Sequence, residues 1–214
     1  MEKMNAFFTA RVEGYDEHML TNVKGCKEAY IEMARLIPKS SKILLDLGCG
    51  TGLELDQIFK LMPDIKVTGI DLTQAMLDKL IQKYLDKSIN LICGSYFDID
   101  LGTEEYDCAV SFQTMHHFSH EAKIGLYKKI LHSLRANGTY IECDYMVENQ
   151  EDENFYYAEN TRIRKEMNIP EDEFYHYDTP CTIDNQLKML NSAGFAKSEQ
   201  VFRIENTTCI IAHK

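Results

Sequence analysis

The sequence predicts one α/β domain built on a doubly wound, mostly parallel sheet with helices on both faces. Two observations predict this class: short apolar runs alternate with longer segments of helical periodicity, and a glycine-rich turn follows the first apolar run. No Pro- or Gly-rich linker divides the 214 residues, of which 44% are hydrophobic. A chain of that length and composition can bury one substantial core, so we expect a single domain over residues 1–214.

The alternation assigns seven helices and seven strands. Helices are predicted near residues 3–13, 22–36, 53–61, 73–86, 120–135, 154–168 and 182–193. Strands are predicted near residues 43–47, 66–70, 89–93, 107–112, 138–145, 197–203 and 208–213. Strands separated by helical segments favour parallel pairing, because a parallel neighbour needs a crossover connection.

The first strand runs directly into a glycine-rich turn, and residues 44–55 read LLDLGCGTGLEL. The apolar run 44–47 is typical of a buried parallel strand. Gly48, Gly50 and Gly52 then allow the chain to turn sharply without Cβ clashes while a ligand approaches the backbone. A ligand site is therefore expected at this turn.

Two acidic residues indicate which ligand the turn would hold. Asp71 ends the second apolar segment, KVTGID, 19 positions beyond Gly52. Ligands of doubly wound sheets bind at the carboxyl ends of the strands, so Asp71 is placed to accept hydrogen bonds from two ribose hydroxyls. Asp46 stands two residues before the first glycine, where it would face a pyrophosphate unfavourably but would suit a ligand with an ammonium and a sulfonium.

The G-x-G-x-G spacing, together with Asp46 and Asp71, closely resembles motif I of class I S-adenosylmethionine-dependent methyltransferases. The N-terminal segment FFTARVEGYDEHM (7–19) resembles the helix and lid of small-molecule methyltransferases related to those of quinone biosynthesis. The resemblance implies a Rossmann-like fold, S-adenosylmethionine as cofactor and S-adenosylhomocysteine as product. It also implies that the C-terminal segment 193–214 forms an antiparallel hairpin.

The resemblance further implies a set of cofactor-binding residues at the strand ends and in the lid. The set is Tyr15, Asp46, Gly48, Cys49, Gly50, Asp71, Leu72, Met76, Ser95, Tyr96, Ser111 and Gln113. Within it, Leu72 and Met76 would lie beside the adenosine, and Ser95 and Tyr96 would contact the adenine. Tyr15 has two interpretations, an aromatic ring near the sulfonium and a tyrosine that only anchors the lid.

Two segments outside the alternating core are expected to shape the acceptor pocket, the N-terminal lid 1–36 and a cap insertion 146–181. The insertion interleaves acidic residues, including Glu171, Asp172 and Glu173, with a dense set of aromatic ones. The aromatic residues are Phe155, Tyr156, Tyr157, Phe174, Tyr175 and Tyr177. An aromatic, acidic cap would suit a flat or weakly basic small molecule, whereas a helix packed on the sheet edge with a solvated acidic side is the alternative.

Histidines supply the candidate catalytic bases for an in-line displacement at the sulfonium methyl. His117 follows the fourth strand in TMHHF, and His176 has Asp178 two residues on as an orienting group. The adjacent His116 is a further candidate. His117 could instead bind backbone at the strand end, and Asp178 could instead cap the helix that starts near Thr182.

Composition limits the partners. The net charge is −11, and Lys79, Lys83 and Lys87 alternate with acids in the pattern of a solvated helix face, so no nucleic acid partner is expected. Seven cysteines include no C-x-x-C pair, which predicts neither a metal site nor a disulfide framework. No apolar run of about 18 residues or secretion signal is present, so no membrane partner and a cytoplasmic location are expected.

Two other functions stay open on the sequence. One is a nicotinamide-dependent oxidoreductase on a Rossmann fold, which the G-x-G-x-G spacing and Asp46 oppose. The other is a non-catalytic cofactor-binding protein of the same fold, because no acceptor-specific motif is present. Oligomeric state and the acceptor's identity are not encoded in any motif.

Overall fold

The computed structural model describes residues 1–170 and 173–214. Its helices are α1 Met4–Arg11, α2 Tyr15–Thr21, α3 Cys26–Leu36, α4 Leu53–Leu61, α5 Gln74–Lys83, α6 His120–Ser133, α7 Gln150–Glu166 and α8 Ile183–Ala193, with 3-10 turns at Val12–Gly14 and Met115–His117. Its strands are β1 Ile43–Leu47, β2 Lys66–Asp71, β3 Ile89–Cys93, β4 Tyr106–Phe112, β5 Leu134–Val147, β6 Cys181–Thr182, β7 Lys197–Ile204 and β8 Thr207–His213.

The strands form one sheet in the order β3-β2-β1-β4-β5-β8-β7, with the two-residue β6 paired to β5. β1 to β6 pair in parallel, and β8 is antiparallel to both β5 and β7. The predicted doubly wound, mostly parallel sheet with a C-terminal antiparallel hairpin is confirmed. The short strand β6 was not predicted, because two residues carry no periodicity.

The strand order places a switch point beside β1. The chain moves outward from β1 to β2 and β3, and then returns to add β4 on the other side of β1. Crossover connections leave a sheet in opposite directions at such a point, so a crevice opens at the carboxyl ends of β1 and β4. This crevice is where the glycine turn lies.

Successive residues of β1 point into the two apolar layers that flank the sheet. Leu44 belongs to a buried cluster with Met33 of α3 and Ile58 of α4. Leu45 belongs to a second buried cluster with Leu126 and other residues of α6 and α8. Both leucines are fully buried, each worth about 1.5–3 kcal/mol, so the strand that carries the turn is rigidly held.

Three predicted element boundaries were wrong for local reasons. The lid contains a separate helix α2 that was not predicted, and α3 begins at Cys26 because Gly25 takes a left-handed φ of +82°. α6 ends at Ser133, and β5 already begins at Leu134, four residues before the predicted strand. α7 begins at Gln150 because the Asn149 side chain accepts the Asp152 N–H and caps the helix.

No helix within the described parts of the chain is both long and apolar enough to span a membrane.

Candidate functional site

The glycine turn after β1 adopts a backbone that other residues rarely take. Gly48, Gly50 and Gly52 have φ of +73°, +47° and +74°. A Cβ on Gly48 would lie 2.7 Å from the Oγ1 of Thr114, so the turn is also packed against the loop after β4. The glycines therefore meet the conformational and steric demand that their spacing predicts.

Asp71 ties the glycine turn to the end of β2. Its Oδ2 accepts the Gly50 N–H at 2.9 Å and its Oδ1 accepts the Thr73 N–H at 2.8 Å. Burial raises the pKa of Asp71, and these backbone hydrogen bonds act in the opposite direction. A carboxylate oxygen has more than one lone pair, so Asp71 can still accept the ribose hydroxyls for which it was predicted.

Asp46 and Glu54 form a buried acidic pair beneath the turn. Both oxygens of Asp46 and Oε1 of Glu54 lack a hydrogen-bond partner among the described residues. Burial and the nearby charge of Asp71 raise the pKa of Asp46 to about 7. Burial and the charge of Asp46 raise the pKa of Glu54. Orphaned carboxylates next to a ligand turn fit a ligand that brings a cation, such as an amino acid ammonium.

A cavity opens at the strand ends and contains most of the predicted cofactor-binding residues. We call it the strand-end cavity. Of the predicted set it is lined by Tyr15, Gly48, Gly50, Asp71, Leu72, Met76, Ser95, Tyr96 and Gln113. At its far end Ser95 Oγ accepts the Phe97 N–H, and the Tyr96 hydroxyl hydrogen bonds with the Thr114 hydroxyl at 2.9 Å. Ring edges and small polar groups there are suited to a purine.

The other three predicted residues do not line this cavity. Asp46 lies beneath the turn, as described above. Cys49 is buried, and its sulfur would lie 2.9 Å from a Cβ on Gly69, so it packs on β2. Ser111 is buried and hydrogen bonds with the Tyr140 hydroxyl at 2.7 Å, because its position in β4 turns it into the core rather than toward the crevice.

The cavity also has walls outside the predicted cofactor-binding set. These residues are Met4, Phe8, Thr73, Gly94, Phe97, Phe112, Thr114, His117, Phe118 and Phe174. Thr114 and Thr73 lie within three residues of a strand end, so position alone could have suggested them. His117 was predicted as a catalytic base, and Met4, Phe8 and Phe174 belong to the lid and cap that were predicted to shape the acceptor pocket rather than the cofactor site.

A second, larger cavity of about 930 Å³ adjoins the first, and we call it the lid cavity. Residues of α1, α2, the β7–β8 hairpin and the segment 176–178 line it. Phe8, Tyr15, Gln113 and His117 line both cavities. Its volume is within the range of small-molecule sites, and the shared wall places its contents directly beside those of the strand-end cavity.

The N-terminal segment covers both cavities by binding the segment after α7. The Met4 N–H donates to the Phe174 carbonyl at 3.0 Å, and the His176 N–H donates to the Glu2 carbonyl at 3.0 Å. The Phe7 ring stacks on the His176 ring with centroids 3.5 Å apart. The two variable segments therefore hold each other in place.

Two lysines of α5 also hold the N-terminal segment in place. Lys83 forms an ion pair with Asp16 at 2.7 Å, and Lys79 donates to the Val12 carbonyl at 2.8 Å. The interpretation of Lys79 and Lys83 as a solvated helix face was therefore wrong, because α5 and the lid pack together. Arg11, by contrast, pairs with the neighbouring Glu2 at 3.0 Å.

Among the described residues of the cap insertion, those that reach the cavities lie near its end. Phe174 lines the strand-end cavity, and His176 and Asp178 line the lid cavity. Helix α7 instead leaves Phe155 exposed, while the Tyr157 hydroxyl donates to the Phe118 carbonyl. Two acidic residues of the predicted cap, Glu171 and Asp172, lie outside the described residues.

Three histidines and two carboxylates converge at the wall of the lid cavity. His116 Nδ1 donates to Asp144 Oδ1, and its Nε2 lies 3.5 Å from Asp178 Oδ1. His117 Nδ1 lies 3.5 Å from the same Asp178 oxygen and 3.3 Å from the Tyr177 carbonyl. His176 Nε2 lies 3.9 Å from it. We call these five residues the histidine cluster.

The charges of the histidine cluster follow from burial and from its two carboxylates. Burial lowers the pKa of His116, but Asp144 and Asp178 outweigh it and raise this pKa to about 10. Burial and the neighbouring His116 lower the pKa of His117, and burial also lowers that of His176. Burial acts to raise the pKa of Asp178, and the three histidines outweigh it and lower this pKa.

The sequence left two alternatives open, one for His117 and one for Asp178, and the structure answers them differently. His117 does contact a backbone carbonyl, yet it also faces both cavities. Asp178 does not cap α8, since the Thr182 side chain accepts the Asn185 N–H and performs that role.

Comparison with known proteins identifies the domain. Residues 44–138 match a family model described as a methyltransferase domain. The chain is 30% identical over 107 residues to the malonyl-[acyl-carrier protein] O-methyltransferase of Priestia megaterium, covering 46% of this chain and 39% of that protein. It is 26% identical over 190 residues to the carboxy-S-adenosyl-L-methionine synthase of Helicobacter pylori strain P12, covering 83% of this chain and 76% of that protein.

The chain thus spans less than half the length of the O-methyltransferase relatives, 45% for that of Acetivibrio thermocellus and 39% for that of Priestia megaterium. Among solved structures, human N-acetylserotonin methyltransferase in complex with SAM superposes with a TM-score of 0.70 at 17% identity, over 98% of this chain and 56% of that one. PigF with SAH superposes with a TM-score of 0.73 at 17% identity, over 100% and 63%. Residues 44–138 therefore match a methyltransferase domain, and the whole chain shares its fold with solved structures that include a methyltransferase bound to SAM.

Proposed function

We propose that this protein transfers a methyl group from S-adenosylmethionine to a small-molecule acceptor in the lid cavity and releases S-adenosylhomocysteine. The wall shared by the two cavities carries the proposal, because Phe8, Tyr15, Gln113 and His117 contact both. Methyl transfer requires donor and acceptor to meet in line at the sulfonium. Two adjoining cavities beneath one lid supply that arrangement.

The donor half of the proposal assigns the strand-end cavity to the cofactor. Asp71 would accept the ribose hydroxyls, Ser95 and Tyr96 would contact the adenine, and the acidic pair Asp46 and Glu54 would favour the ammonium end. The orphaned oxygens of that pair support this orientation. The bound cofactor would supply an already activated methyl group, so the protein mainly has to align it and exclude water.

The acceptor half assigns catalysis to histidines. His117 and His176 line the lid cavity with their ring centroids 5.0 Å apart, so both are in position to take a proton from an acceptor. Residues 1–36 would serve as the lid and residues 146–181 as the cap of a single domain. The pairing of Met4 with Phe174 and of Glu2 with His176 supports this division.

The same proposal favours a small molecule over a nucleic acid and places the protein in the cytoplasm. The net charge of −11 would repel a phosphate backbone. All seven cysteines are free, and six of them are buried, which suits a reducing compartment. The relatives' names differ in their products, so their similarity supports the methyl donor rather than any one acceptor.

Two measurements test the proposal. Calorimetry should show binding of S-adenosylmethionine and S-adenosylhomocysteine and none of NAD, since the acidic turn disfavours a pyrophosphate; binding of NAD alone would overturn the donor assignment. A panel of phenols, amines, thiols and carboxylates should then yield S-adenosylhomocysteine with at least one acceptor. Cofactor binding without turnover on the whole panel would favour the non-catalytic alternative.

A further inference from the structure

We propose that the histidine cluster is a binding site for a divalent transition metal ion such as Zn²⁺, with His116, His117 and Asp178 as ligands. The site forms one wall of the lid cavity, since all three residues line it. This inference departs from the expectation, drawn from the sequence, that the chain has no metal site.

Two of the three distances between donor atoms match the spacing that a small tetrahedral ion needs. Bonds of about 2.0–2.2 Å in a tetrahedron place neighbouring donors roughly 3.3–3.6 Å apart. Asp178 Oδ1 lies 3.5 Å from both His116 Nε2 and His117 Nδ1, and the three atoms lie within 4.8 Å of one another. Two imidazoles and a carboxylate are a common donor set for Zn²⁺ and related ions.

The outer contacts of His116 match those of a metal-bound histidine. Its Nδ1 donates to Asp144, which is buried, so Nε2 is the ring nitrogen that faces Asp178. A carboxylate behind a histidine fixes the ring and strengthens it as a ligand. Asp178 Oδ1 is itself a buried atom without a hydrogen-bond partner among the described residues. The cluster therefore contains an oriented ligand and an unsatisfied acceptor that face each other.

The charge of the cluster also favours a cation. Among the described residues, no lysine or arginine forms an ion pair with Asp144 or Asp178; their ion pairs are with histidines. A metal ion would supply the positive charge that these two carboxylates attract.

A second cluster of potential metal ligands differs from the proposed site in its contacts. His120, Glu153 and Cys181 also bring donor atoms within 4.8 Å of one another. Here the ammonium of buried Lys123 lies 3.1 Å from the Cys181 sulfur and already supplies a positive charge. Glu153 Oε2 accepts the Asn185 amide and the Thr182 N–H, so it is occupied as well. The second cluster therefore already holds a positive charge and a hydrogen-bonded carboxylate, although His120 Nε2 has no hydrogen-bond partner among the described residues.

His176 lies at the edge of the proposed site. Its Nε2 is 3.9 Å from Asp178 Oδ1, and its ring is stacked on Phe7 of the lid. It can therefore act as a fourth ligand or leave the fourth position to a molecule in the lid cavity. Resting on the proposed function, this geometry indicates an acceptor whose oxygen or nitrogen can coordinate a metal ion. His117 would then be a ligand, and His176 would keep the role of base when the acceptor takes the fourth position.

Titration with Co²⁺ and Zn²⁺, followed by calorimetry and by the visible absorption of Co²⁺, tests the site. We expect one equivalent to bind the wild-type chain. Asp178→Asn should weaken binding at least about 10-fold, since a charged ligand is lost, and His176→Ala should weaken it less. His18→Asn removes an exposed histidine of the same cavity, and His120→Asn removes one of the second cluster; both should leave the affinity unchanged.

Each variant is checked by thermal unfolding and by S-adenosylhomocysteine affinity, so loss of the fold is not read as loss of a ligand. The proposal is overturned if the wild-type chain binds no stoichiometric metal ion, or if Asp178→Asn binds the metal ion as tightly as wild type. A chain that binds S-adenosylhomocysteine but no metal ion would leave the proposed function standing. A chain that binds the metal ion but not S-adenosylhomocysteine would refute that function alone.

Discussion

The two adjoining cavities are built in different ways. The strand-end cavity is made largely by residues that follow strands β1, β2 and β3 within a few positions, and its polar contacts are mainly to backbone. The lid cavity is assembled from four segments far apart in sequence, the lid, the loop after β4, the segment 176–178 and the β7–β8 hairpin. Its polar contacts join side chains to side chains.

This difference separates the region proposed to bind the cofactor from the region proposed to determine acceptor specificity. A backbone turn held by Asp71 can recognise the same cofactor in many proteins, because it depends on few side chains. The histidine cluster depends on His116, His117, His176 and both aspartates at once. Changes to the first region should therefore affect donor binding, and changes to the second should affect the acceptor and the metal ion.

The largest effect is expected for Asp71→Ala. The substitution removes the proposed ribose acceptor and two backbone hydrogen bonds, each worth about 1.5–3 kcal/mol because the acceptor is charged. Affinity for S-adenosylhomocysteine should fall by more than about 10-fold in calorimetry, while Co²⁺ affinity should stay the same. An unchanged S-adenosylhomocysteine affinity would refute the ribose role.

Gly48→Ala should destabilise the fold by about 1–3 kcal/mol, the usual cost of a strained backbone position. Its φ is +73°, and the new Cβ would meet Thr114. Gly14→Ala is the matched control, because a Cβ at Gly14 has no neighbour within 4 Å. Denaturant unfolding compares the two; equal stabilities would show that the turn tolerates a side chain.

Donor binding should depend on pH through Asp46. Its pKa is raised to about 7, so the carboxyl is protonated below that pH and ionised above it. Pairing with the ammonium needs the ionised form, so S-adenosylhomocysteine affinity should fall by up to about 10-fold for each pH unit below 7. Asp46→Asn should flatten the profile between pH 6 and 8, and a slope that persists in this variant would exclude Asp46 as its source.

The smallest effect is expected for the contact between the lid and α5. Lys83→Ala breaks a partly exposed ion pair with Asp16, which should cost about 0.2–1 kcal/mol. We expect faster release of S-adenosylhomocysteine in stopped-flow measurements with little change in unfolding midpoint. Lys87 contacts Asp86, the Pro63 carbonyl and the Phe59 ring rather than the lid, so Lys87→Ala should release it at the wild-type rate.

Much of the fold and of the donor site could be predicted because the signals are local. β1 and β3 have the predicted bounds, and nine of the twelve predicted cofactor residues line the strand-end cavity. Ser111 does not line it because it lies within β4, where alternation along the strand turns its side chain into the core. Helix α2 was not predicted because the 3-10 turn at Val12–Gly14 interrupts the helical periodicity of the lid sequence.

By itself the sequence determined the sheet, the glycine turn and its acid, because backbone conformation and strand alternation depend on neighbours along the chain. Only the tertiary structure decided that Asp178 faces the histidines rather than a helix end, and that Lys83 holds the lid rather than solvent. Those contacts join residues 60 or more positions apart, from His117 to Asp178 and from Asp16 to Lys83. Tertiary packing brings these residues together, and no local sequence pattern predicts such contacts.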